Sequence, residues 1–165
     1  MMTLSAHAAL WLLIFSAPIS VYIAYTDIKS MRIPNTAVLA LLAVFAVVGF
    51  IVLPTSTWAW AWLNFAVVLA VGFVMTVIGG FGAGDAKFAA AMAPFIAIGD
   101  LRQFCVLLSA VTIAAFIAHR GLRAIPAVRR ATPDWASWEH KGFPFGLALG
   151  PSLAFYLALA ALYGS

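Results

Sequence analysis

Residues 58–79 read WAWAWLNFAVVLAVGFVMTVIG, a stretch without one charged side chain. At 1.5 Å per residue a helix of that length reaches about 33 Å, enough to cross the ~30 Å hydrocarbon core of a bilayer. Further apolar runs lie at about 8–26 and 36–53 before it, and at 86–99, 103–119 and 144–163 after it. Between the runs stand the breaks around Asp27 to Asn35, Leu53-Pro54-Thr55-Ser56, Gly79 to Gly84, Gly99 to Arg102 and Arg120 to Gly142. In lipid such runs are predicted to be helices, because an open strand leaves backbone groups unsatisfied. The expected fold is therefore all-α, a polytopic membrane bundle of about six transmembrane helices, with residues 1–165 forming a single membrane-embedded domain.

Composition agrees with that reading. Of 165 residues, 65% are hydrophobic and 8% charged, with a mean hydropathy of +1.09, which excludes a water-soluble enzyme. No Lys or Arg precedes the first run, so it lacks the charged start of a cleavable signal and reads as a retained span. The single cysteine, Cys105, rules out a disulfide framework and reads as a small core residue.

The net charge of +4 records topology rather than a nucleic-acid partner. With six spans, the loops after the first, third and fifth share one side. They hold Lys29, Arg32, Lys87, Arg120, Arg123, Arg129, Arg130 and Lys141, leaving Arg102 opposite. Those loops are expected to be cytoplasmic, and both termini to face away from the cytoplasm. The 86–99 run is short, about 21 Å as a helix, with Pro94 as a kink candidate. Its alanines at 86, 89, 90, 91 and 93 suit close helix packing. The 120–142 loop mixes arginines with Trp135 and Trp138, a pattern suited to an anionic membrane surface, so membrane lipid is an expected partner, with contact to a partner protein as the alternative.

Five carboxylates are available for chemistry. Asp134 and Glu139 belong to the polar loop, and Asp100, beside Arg102, reads as a solvated charge in a turn. Asp27 follows the first span and Asp85 opens the fourth, both on the side of the basic loops. Each has an ordinary explanation: a helix cap for Asp85, and an interfacial charge near Lys29 and Arg32 for Asp27. If the helices bring the two together, they cannot both ionise easily and one proton is shared. Such a pair activates water for peptide hydrolysis, one carboxylate taking a proton while the other acid donates one.

Gly79, Gly80, Gly82 and Gly84 are expected to permit positive φ and the approach of another backbone to Asp85. The segment lacks the Gly-Lys-Ser/Thr ending of a phosphate-binding loop. His7, His119 and His140 are isolated, read as interfacial or loop residues, and form no zinc-protease helix. Ser16, Ser20 and Ser109 lack a base on their own spans. A small proton-coupled membrane carrier using the same aspartates, and a non-enzymatic assembly subunit, are the competing readings.

Three stretches carry a resemblance: YTDIKSMRIPN at 25–35, GGFGAGDAKF at 79–88 and KGFPFGLALGPS at 141–152. In this order on six spans, with Gly82-Ala83-Gly84-Asp85 as a Gly-x-Gly-Asp motif, the chain resembles type IV prepilin peptidases, specifically the small Tad-type members. The resemblance implies an aspartic endopeptidase of the cell inner (cytoplasmic) membrane that removes prepilin leaders at the cytoplasmic face. Asp27 and Asp85 would be its catalytic pair. Arg32, Pro34, Asn35, Gly82, Gly84 and Lys87 would support them, as would Pro144 and Gly146 of the late Pro-aromatic-Gly segment. The larger, bifunctional members have paired cysteines in an added domain and also methylate the product. With Cys105 alone, neither methyltransferase activity nor a metal or S-adenosylmethionine cofactor is expected here.

Overall fold

The computed structural model describes residues 2–164. Helices α1 (Ala6–Ser30), α2 (Asn35–Val52), α3 (Thr55–Val77), α4 (Ala83–Met92), α5 (Leu101–Ala124), α6 (Pro126–Ala131) and α7 (Gly146–Tyr163) follow one another. Short 3-10 turns lie at Ala93–Phe95, Ile98–Asp100 and Ala136–Trp138. Among the described residues there is no strand, only an isolated bridge between Met2 and Gly164. The molecule is an all-α polytopic membrane helix bundle.

Local chemistry sets the helix ends. The Ser5 hydroxyl accepts the Ala8 N–H at 3.4 Å to start α1. Met31, in the left-handed region at φ 52, closes it by donating its N–H to the Asp27 carbonyl at 2.8 Å. Pro34 and Pro54 precede α2 and α3, and α2 carries a π-helical turn at Phe45–Gly49.

Helices α1 and α7 form the central pair. Small buried residues, Ala8, Ala9, Ser16 and Ser20 on one and Ala148, Gly150, Ser152 and Ala160 on the other, let the backbones meet. A Cβ at Gly150 would overlap the Ser20 carbonyl. Helix α2 lies against α1, and α4 lies between α2 and α3, while α5 covers α7. Leu12, Ile23, Leu41, Phe45, Phe88, Met92, Phe95, Leu149, Leu153 and Leu157 make one continuous core. Most of α3 and α5 faces outward, where apolar side chains meet lipid rather than water.

Among the described residues five helices are long and apolar enough to cross a membrane. The 86–99 run is not among them: it yields the ten-residue α4 and then turns that include Pro94. It nevertheless travels the length of the bundle. It starts at Asp85, beside the C-terminal end of α1, and finishes at Asp100, bonded to residues just ahead of α1. Extended residues at Ile96 and Ala97 supply the length that a short helix lacks. The Met2 N–H donates to the Tyr163 carbonyl at 3.3 Å, so both chain ends meet at one end of the bundle. That closure requires an even number of passages, and the broken fourth segment makes the sixth.

Three sequence readings are corrected. Asp100 is not a solvated surface charge but fully buried. It accepts from the Thr3 N–H (2.7 Å), the Thr3 hydroxyl (2.9 Å), the Leu4 N–H (3.1 Å) and the Tyr156 hydroxyl (2.9 Å). Tyr156 also accepts the Ala97 N–H at 3.0 Å, so the irregular backbone finds a partner inside the protein. Cys105 is not a core residue but exposed on α5, because an apolar run does not tell the lipid side from the protein side. His119 is buried rather than interfacial, stacked on Trp138 with ring centroids 5.1 Å apart.

Candidate active site

Asp27 lies in the last turn of α1 and is 5% exposed. Its Oδ2 accepts the Gly146 N–H at 2.7 Å. Gly146 opens α7, so the carboxylate occupies the positive end of that helix and uses one of its free N–H groups. A Cβ at Gly146 would stand 2.9 Å from Oδ2 and 3.0 Å from the Cβ of Asp27, which leaves no room for a side chain. Buried Pro144, two residues earlier, sets the entry, its carbonyl accepting the Leu147 N–H at 3.1 Å.

Asp85 stands in the first turn of α4 and is half-buried. It lies at the start of the broken segment, outside the helices that are long and apolar enough to span by themselves. It is not the N-cap: Gly82 holds that position, and no side chain caps the helix. The Asp85 carboxylate folds back over Gly82, where a Cβ would lie 2.6 Å from its Oδ2. Of the four loop glycines only Gly79 has a positive φ, at 78°. Gly82 and Gly84 matter through space instead, the latter facing Ile33 with 3.4 Å available to a Cβ.

The two aspartates share a cavity of about 330 Å³. Arg32, Asn35, Gly82, Gly84 and Lys87 line it with them. Lys87 Nζ donates to Asn35 Oδ1 at 3.3 Å, tying the start of α4 to the start of α2. Burial, and next the neighbouring Asp27 charge, push the Asp85 carboxyl up to about 6. One carboxyl is thus anchored by a backbone donor, while the other is pushed well above the ordinary carboxylate range. Two carboxyls in such unequal surroundings can serve general acid–base chemistry.

A family model described as the type IV leader peptidase family matches residues 7–119, more than half of the chain. The chain belongs to the type IV leader peptidase family. No curated protein and no solved structure matches it. As a member of this family it is a peptidase of a multi-pass membrane protein class, with type IV leader peptides as the general substrate.

Within this leader peptidase, the structure gathers Asp27, Arg32, Asn35, Gly82, Gly84, Asp85 and Lys87 around one cavity, and sets Gly146 against Asp27 from outside the family-matched residues. Pro34 stays off the cavity wall and shapes the α2 start, its carbonyl accepting the Ala37 N–H at 3.1 Å. Sequence reasoning missed Met31 and Ile33, which also line the cavity. Nothing in the sequence marks Met31, whose left-handed backbone is more usual for Gly or Asn. It also missed the ring contact of Phe81 with Phe145, centroids 5.4 Å apart, which joins the glycine-rich loop to the α7 entry. Among the described residues no three His, Cys, Asp or Glu side chains gather as a metal site.

Proposed function

We propose that this leader peptidase is an aspartic endopeptidase in which Asp27 and Asp85 act as a dyad. The observation that carries the reading is that both carboxyls line one open cavity at the same end of the bundle. With one proton between them, the ionised carboxyl draws a proton from water, the hydroxide formed attacks the peptide carbonyl, and the protonated carboxyl donates to the carbonyl oxygen. Collapse of the tetrahedral species breaks the C–N bond, and a proton returned from the dyad leaves with the amine. No covalent acyl-enzyme forms.

The substrates under this proposal are Tad/Flp-type prepilins, whose leaders are cut ahead of a hydrophobic helix, and no methyl transfer follows. The membrane is the cell inner membrane, with the cavity at its cytoplasmic face and both termini on the other side. What supports this placement is charge: eight of the nine basic residues, Arg102 excepted, belong to loops or helix ends at the Asp27 end.

The test is co-expression with Tad-type prepilins, following leader removal by gel shift and mass for wild type, Asp27→Asn and Asp85→Asn. Cleavage by wild type alone is expected. Near-normal cleavage by either variant overturns the dyad. No cleavage by folded wild type across several prepilins favours the proton-coupled carrier or the assembly subunit.

A further inference from the structure

Beyond the aspartates, the same end of the bundle holds a second and larger cavity, about 550 Å³, between the end of α5, α6 and the turn at Ala136–Trp138. Arg123, Arg129 and Arg130 line it, against a single carboxylate, Glu139. Among the described residues the Arg129 and Arg130 side chains have no hydrogen-bond or ion-pair partner. Arg123 makes one long bond, to the His140 carbonyl at 3.4 Å. Three permanently charged, fork-shaped donors facing one cavity repel each other and are stabilised by an anion that accepts from several at once, as a phosphate does.

The cavity wall is firmly held. Trp138 is 3% exposed, stacks on His119, and donates its Nε1–H to the carbonyl (3.1 Å) and the hydroxyl (3.0 Å) of Thr132. The source of the phosphate follows from position. The cavity begins where the spanning helix α5 ends, and Leu122 and Ile125, flanking Arg123 and Ala124, are 44% and 45% exposed. Exposed apolar side chains beside unpaired guanidiniums match a molecule that is apolar along its chains and anionic at its head.

We propose that the Arg123, Arg129 and Arg130 cavity binds the phosphate headgroup of an anionic phospholipid. The site is separate from the aspartate cavity, and its failure would leave the peptidase reading untouched. The experiment is native mass spectrometry of the full chain released from neutral detergent. Dioleoyl-phosphatidylglycerol is added in parallel with dioleoyl-phosphatidylcholine.

Wild type is expected to retain the anionic lipid preferentially. Each guanidinium near the headgroup is worth about fivefold, so Arg129→Gln with Arg130→Gln should lower the preference about twenty-five-fold. Those two side chains are exposed and unpartnered, so the double variant is expected to fold, checked by an unchanged melting midpoint. Arg102→Gln, at the opposite end, should leave the preference intact. Equal retention of the two lipids by wild type, or an unchanged preference in the double variant, overturns the proposal. Displacement of the lipid by millimolar inorganic phosphate, with a phosphate adduct in its place, overturns the lipid assignment in favour of a soluble phosphate.

Discussion

The two ends of this bundle hold buried aspartates in opposite conditions. At one end Asp100 accepts four hydrogen bonds and is fully buried. At the other, Asp27 accepts one backbone N–H, and it shares a cavity with Asp85, whose carboxyl burial and the Asp27 charge push up to about 6. A buried carboxylate costs free energy unless its oxygens are satisfied. Donors on every side fix a carboxylate in place, whereas a second carboxyl and open space leave room for a proton to be exchanged.

The sharpest way to break this contrast is to remove ionisation at one end and then at the other. Asp27→Asn or Asp85→Asn should lower prepilin cleavage at least about a hundredfold, because each role requires a transferable proton. Folding, followed by circular dichroism, should persist. At the far end Asp100→Ala should do the reverse. It strands Thr3, Leu4 and Tyr156 donors, and is expected to cost about 3 kcal/mol of stability. Cleavage per folded molecule should stay near wild type. An Asp100→Ala protein that melts normally would show that the far end does not hold the bundle together.

Smaller changes sharpen the same comparison. Gly146→Ala places a methyl group on Asp27. It should lower cleavage on the order of tenfold or more by displacing the carboxylate, with the larger part of the change in kcat. The smallest effect is a pH effect on Asp85. Its folded value near 6 exceeds the ordinary 3.8, so the folded state holds the proton more tightly. The stability this contributes is present in acid and is lost as pH rises from about 4 through about 6. Wild type should therefore lose stability relative to Asp85→Asn across that window. The difference is on the order of 1 kcal/mol, since water screens the exposed part of the carboxyl. Parallel thermal melts of the two proteins from pH 4 to 7 read it out, and coincident curves would remove Asp85 from the burial argument.

That the two aspartates of the candidate site lie on one side was legible before the structure, and the reason is the membrane. Lipid forces each long apolar run into a helix and leaves polar residues at the ends, so counting runs already brings Asp27 and Asp85 to one side. Asp100 was misread because its context, Gly99 before it and Arg102 after it, looks like an exposed turn. Its donors lie at Thr3, Leu4 and Tyr156, 97, 96 and 56 positions away. Cys105 and His119 were misread for a related reason. In water the alternation of polar and apolar residues separates surface from core, whereas in lipid both faces of a span are apolar and the signal vanishes. The fourth run was recognisably too short for a full helix, but not how Ile96 and Ala97 extend to complete the passage.

By itself the sequence determined the all-α class, the runs, and the side on which the basic residues collect, because these follow from length and from the cost of charge in hydrocarbon. Tertiary structure alone decided which carboxylates are satisfied. The Gly146 N–H reaches Asp27 across 119 positions of chain, and Asp85 meets the same cavity only because α4 packs between α2 and α3. Hydrogen bonds act over about 3 Å, and no local pattern records which distant donor will arrive within that reach.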